Sequence, residues 1–200
     1  MGQKKFDKEL YDKANPLSNG VMAAWLERNG YDSIDLKETY GVDITCTKNN
    51  LLTGKTPYFF ETEIAYIWKK EWPNVWMFIH IPYRKKKIID KWVKDGSDGI
   101  LTFVQFKNDC KQAWFIDGQV VRDAPIEIIN TKYTVNEKFF NIDINNAHII
   151  NMKDSDLRDL EKDQNELDKV VFVDVRYPEQ KDKSRGDQVT DAFINVKYPA

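Results

Sequence analysis

Cysteine and histidine are scarce in this 200-residue chain, and the scarcity restricts the chemistry that the chain can carry. The two cysteines, Cys46 and Cys110, are far apart and neither belongs to a CxxC pair, so no disulfide framework or zinc knuckle is readable. His80 and His148 are too few for a histidine-rich metal site. A bound metal would therefore need oxygen ligands, which favours Mg²⁺ or Mn²⁺ over zinc.

Long apolar runs and an excess of basic residues are also missing. No stretch approaches the ~18 apolar residues of a membrane span, and residues 1–7 lack the apolar core of a signal peptide. We therefore expect a cytoplasmic protein without a membrane partner. The 30 Lys and Arg residues against 32 Asp and Glu residues give a formal charge of −2, so a nucleic-acid partner would have to be met by a local basic patch.

The composition is that of a folded protein, because 42% of the residues are hydrophobic and 13% are aromatic. Glycine and proline are scattered as turn signals, with no linker or internal repeat, which predicts one domain over residues 1–150. From residue 153 the chain becomes acidic and poor in apolar residues. We expect residues 151–200 to form an extension with a solvated acidic helix over 153–169 and one strand over 170–175.

The hydrophobic pattern of residues 1–150 predicts an α/β (α+β) fold. A helix over 16–29 is expected to begin with Asn15 as its N-cap and Pro16 at its first position, after a shorter helix over 5–14. Period-two alternation then predicts a hairpin of strands over 42–47 and 57–68, followed by an apolar strand over 75–81 in the centre of a sheet. A helix is expected from residue 84. The later part is typical of a meander, with short strands over 99–106, 113–117, 120–121, 126–129 and 139–144.

Three carboxylates lie in the predicted hairpin. Asp43 is in the first strand, and Glu61 and Glu63 share one face of the second, because successive side chains of a strand alternate. Two neighbouring carboxylates repel each other unless a cation lies between them, and Mg²⁺ is commonly held by one or two carboxylates with waters and phosphate oxygens. Such a site activates a water towards a phosphate, and Glu63 is placed to take a proton or to bind a second metal. The plain alternative is the solvated face of an antiparallel hairpin.

The helix, the strand Gly41-Val42-Asp43-Ile44, the hairpin and Phe60-Glu61-Thr62-Glu63-Ile64 resemble the PD-(D/E)xK nuclease superfamily in order and spacing. The resemblance covers about residues 8–94, and Glu63 replaces the usual lysine. Some restriction endonucleases of the superfamily also have glutamate there, with a further glutamate on the preceding helix. The segment 79–87 has the look of small phage-type members, which implies a restriction-endonuclease-like core with a mixed central sheet flanked by helices.

This resemblance implies roles for particular residues. Asp43 and Glu61 would be metal ligands, the Thr62 carbonyl would be a backbone ligand, and Glu63 would take the place of the motif lysine. Glu27 would be the supplementary glutamate of the helix; its alternative is an ordinary exposed position. The implied cofactor is Mg²⁺ or Mn²⁺, and a phage-encoded chain would work in the host cytoplasm.

A basic segment follows the apolar strand, and residues 84–94 carry six positive charges and one negative charge. Arg84, Lys85, Lys86 and Lys87 are candidates for contacts with DNA backbone phosphates, against the alternative of a solvated helix start. His80 is interpreted as a core histidine rather than a catalyst. A weaker competing site would combine Asp95 or Asp98 with the sequence Gln105-Phe106-Lys107.

The sequence thus favours a metal-dependent DNA endonuclease that hydrolyses phosphodiester bonds with an activated water. The alternative is a catalytically inactive module of the same fold that binds nucleic acid or a protein through the basic segment and the acidic C-terminal part. Paired cuts in a duplex would need two active sites and would favour a homodimer.

Overall fold

The computed structural model describes residues 8–38, 40–50, 54–65, 68–72, 76–130 and 135–157. The described part contains three helices, α1 (Lys8–Arg28), α2 (Lys86–Lys94) and α3 (Gly118–Asp123). It also contains nine strands: β1 (Asp32–Asp35), β2 (Ile44–Asn50), β3 (Gly54–Ala65), β4 (Phe78–Pro82), β5 (Ile100–Lys107), β6 (Gln112–Asp117), β7 (Ile126–Ile129), β8 (Glu137–Asp143) and β9 (His148–Asn151). Short 3₁₀ turns lie at Tyr83–Lys85, Ile144–Asn146 and Asp154–Asp156.

The strands form two sheets. Six of them make a mixed sheet in the order β1-β2-β3-β5-β6-β9, in which only the β3–β5 pair is parallel. Parallel neighbours need a crossover connection, and the chain between β3 and β5 contains β4 and α2. Strands β4, β8 and β7 make a smaller antiparallel sheet. The α+β class predicted from the sequence is confirmed.

Both faces of the six-stranded sheet are covered by other elements. The central strands have apolar side chains on both faces, because successive side chains of a strand point to opposite sides. On one face, Met22 and Leu26 of α1 pack against Ile44, Phe60 and Phe106. On the other face, apolar residues of α2 and of the small sheet pack on β3, β5 and β6; they include Ile79, Ile81, Ile88, Trp92, Phe103 and Ile116. The second half of strand β3 therefore lies between two hydrophobic layers, and its polar residues Glu61 and Thr62 are buried.

The first helix differs from the prediction at its start. Residues 8–28 form one continuous helix with Pro16 inside it, so the predicted N-cap at Asn15 is wrong. An internal proline removes one backbone hydrogen bond and strains the preceding turn. The exposed position of Pro16, together with the packing of Val21, Met22 and Leu26 on the sheet, is compatible with helix on both sides of it.

Several predicted strands also need correction. The apolar strand is buried as expected, but β4 lies at the edge of the small sheet rather than in the centre of a sheet; it is buried because its side chains belong to the hydrophobic layer between the two sheets. Residues 120–121 belong to α3, whose first turn is capped by the Asp117 carboxylate accepting from the Gln119 N–H at 2.7 Å. The second half is not a simple meander, since β7 and β8 join the small sheet and the unpredicted β9 returns to β6.

The chain after β9 is fastened to the first helix. Arg28 makes two hydrogen bonds to the buried Asp156 carboxylate, Nε to Oδ1 at 2.7 Å and Nη2 to Oδ2 at 2.6 Å. The Lys153 N–H also donates to that carboxylate. The rest of the predicted acidic helix and the predicted strand over 170–175 lie outside the described residues. None of the described helices is both long and apolar enough to span a membrane.

Candidate catalytic site

The β2–β3 hairpin brings Asp43 next to Glu61. Ile44 is the first residue of β2 and pairs with Phe60, and Asp43 directly precedes it, close enough to Glu61 for its charge to raise the pKa of that carboxyl group. Both side chains are buried, at 6% and 7% exposure. The backbone of Asp43 lies close enough to the Glu61 carboxylate to work against the rise in its pKa. The two carboxylates that the sequence analysis paired are therefore neighbours in space.

Thr62 holds the Asp43 carboxylate in place. The Thr62 backbone N–H donates to Asp43 Oδ2 at 2.8 Å, and the Thr62 hydroxyl lies 3.3 Å from the same oxygen. This hydroxyl also lies 2.6 Å from Asn19 Oδ1 and 3.2 Å from Ser18 Oγ, both on α1. The N–H and C=O groups of one strand residue point to the same edge, so the Thr62 carbonyl faces the Asp43 side of β3. This placement suits the backbone ligand implied by the resemblance.

Glu61 and Glu63 lie on the opposite face of β3 from the Thr62 side chain, as the alternation predicts. Burial raises the pKa of Glu61 to about 7 against the opposing effect of the Lys85 ammonium, with a further raising contribution from Asp43. Burial likewise raises the pKa of Glu63 to about 7, opposed by Lys85 and Arg84. Within the described part of the chain, the buried Glu63 Oε1 has no hydrogen-bond partner. The face is thus desolvated and acidic.

Lys85 enters this acidic face from the 3₁₀ turn between β4 and α2. Its ammonium donates a hydrogen bond directly to Glu61 Oε1, and only 14% of its side chain is exposed. Burial works to lower the pKa of Lys85, but the charges of Glu61, Glu63 and Asp43 outweigh it and raise that pKa. Lys85 is therefore a charged member of the site. The sequence predicts only phosphate contacts for Lys85.

Gln105 is a second residue whose place the sequence analysis did not foresee. Parallel pairing sets Gln105 of β5 beside Glu63 of β3, and Gln105 is 4% exposed. Phe103, two residues earlier, packs in the same layer as Ala65, so Gln105 and Glu63 share a face of the sheet. The only available sequence signal was a polar residue inside an apolar strand. Gln105 had instead been grouped with the aspartates of the competing site.

The competing site is not assembled around Asp95. The Asp95 carboxylate accepts a hydrogen bond from the Tyr40 hydroxyl at 2.6 Å, at the far end of α2. Asp95 precedes the first residue of β5, whereas Gln105 lies near the last residue of β5, beside Glu63.

His80 is buried, as expected for a core histidine, and its Nε2 lies 3.3 Å from Glu127 Oε2 on β7.

Glu27 does not lie with the other candidate residues. It is exposed, and it is nine residues beyond Ser18 on α1, about 13 Å further along the helix axis at 1.5 Å per residue. Ser18 and Asn19, rather than Glu27, are the helix residues that contact Thr62. The alternative reading of Glu27 as an ordinary exposed position agrees with this placement.

The basic segment divides between the site and the surface. Lys85 contacts Glu61, and the Arg84 guanidinium lies close enough to Glu63 to lower its pKa. Arg84 Nη1 is also 3.9 Å from Glu137 Oε1. Lys86 makes an ion pair with Asp90 on the exposed side of α2, and Lys87 is exposed. We call Arg84, which lies near Glu63, together with Lys86 and Lys87, which follow it on the surface, the positive border.

The donor groups can be compared with the needs of Mg²⁺. Across the described ranges, no set of three or more His, Cys, Asp or Glu residues is spaced to hold a metal ion. The available donors are the Asp43 and Glu61 carboxylates and the Thr62 carbonyl, with the unpartnered Glu63 Oε1 nearby. Two carboxylates completed by waters and substrate oxygens are a usual Mg²⁺ environment. The donors are oxygen atoms, the ligand type that the expected cation requires.

No protein-family model, curated protein or solved structure that was compared with this chain matches it. The function must therefore be argued from the site itself.

Proposed function

We propose that this protein is a metal-dependent nuclease that hydrolyses DNA phosphodiester bonds. The observation that carries the proposal is the convergence of Asp43, Glu61, Glu63 and Lys85 on one desolvated region of β3. Buried charges without a structural purpose are costly, and clusters of perturbed titratable groups are typical of functional sites.

The arrangement of elements supports the proposed relationship to the PD-(D/E)xK superfamily. A helix precedes an antiparallel hairpin that carries Asp43 and Glu61, and a helical crossover then leads to a strand parallel to β3. Lys85 also compensates for the departure at Glu63. It supplies an ammonium beside the carboxylates although the motif position on β3 holds glutamate.

Each residue has a role in the proposed reaction. Asp43 and Glu61, with the Thr62 carbonyl, would hold Mg²⁺ or Mn²⁺. Such a cation, when bound, lowers the pKa of a water and neutralises charge on a phosphate. Glu63 accepts the proton of the attacking water, for which a carboxylate with a pKa of about 7 is suited at neutral pH. The water oxygen bonds to phosphorus, the bond from phosphorus to the leaving oxygen breaks, and Lys85 stabilises the negative charge on the phosphate.

The positive border supplies the contacts with DNA. Arg84 lies near Glu63, and Lys86 and Lys87 follow at the start of α2, where they can bind backbone phosphates on either side of the scissile bond. Such contacts hold the substrate without reading its sequence and weaken as salt rises.

The test is incubation of the purified protein with supercoiled plasmid and with short linear DNA in Mg²⁺, Mn²⁺ or EDTA. We expect nicking that requires the metal and that falls at least ~100-fold in Asp43→Asn and in Glu61→Gln, the usual scale for lost transition-state stabilisation. Glu71→Gln is the matched control, because it removes an exposed carboxylate outside the site. Cleavage by Asp43→Asn at the wild-type rate contradicts the proposal.

The same experiment separates the nuclease from the binding module of the same fold. DNA binding that persists in EDTA, falls with salt and is lost on neutralising Arg84, Lys86 and Lys87, with no cleavage in any metal, would establish the binding module. Absence of both cleavage and DNA binding would transfer the function to a protein partner.

A further inference from the structure

Lys85 is the counter-ion of several neighbouring carboxylates. Together they carry more negative charge than one ammonium neutralises. Its ammonium contacts Glu61 and is also attracted by Glu63 and Asp43. Glu63 Oε1 is nevertheless buried without a hydrogen-bond partner within the described part of the chain. The carboxylate oxygens of Glu61 and Glu63 can therefore bind a second positive charge, and the Lys85 ammonium lies beside them.

The Lys85 side chain is long enough to leave the carboxylates without a change in the backbone. Lys85 ends the 3₁₀ turn and is followed directly by α2. Lysine carries its charge on four flexible methylene groups, so the ammonium can move by several ångströms while the backbone stays in place. Asp43, in contrast, is fixed by the Thr62 backbone N–H.

We propose that the Lys85 ammonium competes with a divalent cation for the Glu61 carboxylate, and that Lys85 thereby sets the cation affinity of the site. Lys85 occupies Glu61 until a divalent cation displaces it, and the displaced ammonium becomes available to the phosphate of the substrate. The inference rests on the proposed cation site of the nuclease, and it assigns to Lys85 the control of that site.

Electrostatics gives the size of the effect. An opposite charge within ~4–6 Å changes the proton affinity of a carboxylate by 1–3 pKa units, or about 10- to 1000-fold. A divalent cation that must replace the same ammonium responds in the same direction. Removal of the Lys85 charge is therefore expected to tighten cation binding by about tenfold or more.

The experiment measures Mn²⁺ binding directly, by titration calorimetry and by the electron paramagnetic resonance signal of free Mn²⁺, with no DNA present. Lys85→Met removes the charge and keeps the unbranched apolar stem. Lys85→Gln is the second variant, used if the methionine variant does not fold by circular dichroism. Lys94→Met removes an exposed positive charge from the end of α2 and is the matched control, with an expected change of less than about twofold because exposed charges are screened.

The outcomes distinguish this inference from the proposed nuclease function. Tighter Mn²⁺ binding in the Lys85 variants, abolished by adding Glu61→Gln, supports the competition. Binding only in the Lys85 variants supports it as well. If wild type binds Mn²⁺ at Glu61 and the Lys85 variants bind with equal or lower affinity, the competition is overturned while the cation site stands. If neither binds, the cation site is wrong and the inference falls with it.

Discussion

The Lys85 ammonium donates a hydrogen bond to Glu61 Oε1, although the two residues are 24 positions apart in the sequence. Both side chains are largely buried. This ion pair joins the turn before α2 to the middle of β3. Breaking a buried pair leaves one charge without its partner, which costs more than the pair itself contributes.

Substitutions of Lys85 and Glu61 are expected to have coupled effects on the free energy of unfolding. At pH 8, above the Glu61 pKa of about 7, we expect Lys85→Met to lower the free energy of unfolding by about 3 kcal/mol. In Lys85→Met/Glu61→Gln the loss is smaller than the sum of the two single losses, with a coupling energy of about 1–3 kcal/mol from denaturant unfolding. The exposed Lys86–Asp90 pair is the control and is expected to show no resolved coupling. Additive single losses would contradict the assignment of Lys85 to Glu61.

The Thr62 hydroxyl is expected to stabilise the junction between α1 and the hairpin. Thr62→Val removes the group that contacts Asn19 and lies near the Asp43 carboxylate, at almost constant volume. We expect a loss of about 1–3 kcal/mol in the free energy of unfolding, since buried polar partners are left unsatisfied. Thr102→Val in β5, at a half-buried position, is the control and should cost less. Equal losses in the two variants would remove the special role of Thr62.

The buried His80 is expected to make the protein less stable in mild acid. Burial lowers its pKa against the raising effect of Glu127, the acidic group facing it from β7; from β8 it meets the ring of Phe139. A folded-state pKa below the unfolded value of 6.5 gives stability that is complete above pH 6.5 and is lost as the pH falls through the folded pKa. We expect His80→Leu to flatten the melting temperature between pH 7 and about 5. The exposed His148→Gln should keep the wild-type slope.

Gly99 is expected to tolerate no side chain at the point where the chain enters β5. Its φ is +78°, and a Cβ there would lie 2.6 Å from the Pro57 carbonyl oxygen of β3. Gly96 has a similar φ of +80° but open space around it. We expect Gly96→Ala to cost about 1 kcal/mol for the backbone conformation alone, and Gly99→Ala to cost about 2 kcal/mol more because β3 and β5 must separate. Equal costs in thermal or denaturant unfolding would show that the β3–β5 contact yields.

The local elements of the site were predictable from the sequence. Alternation of side chains predicted β2 and β3, and it placed Glu61 and Glu63 on one face, because strand geometry depends on residues two apart. Asp43 was predicted inside the first strand but directly precedes β2, which begins at Ile44. Helical spacing in the same way predicted most of α1 and α2. The boundary at Pro16 and the assignment of residues 120–121 were wrong, since a single proline and two valines are weak local signals beside the packing of a whole element.

The tertiary structure alone decided which distant residues lie next to these carboxylates. The pairing of β3 with β5 brought Gln105 beside Glu63, and the turn before α2 brought Lys85 to Glu61. Neither relationship has a fixed spacing in the sequence, because pairing between distant segments is set by the packing of the two sheets and their helices. The sequence by itself determined which carboxylates lie together near the hairpin; the packing of the chain between β3 and β5 decided that they are desolvated and that Lys85 pairs with Glu61.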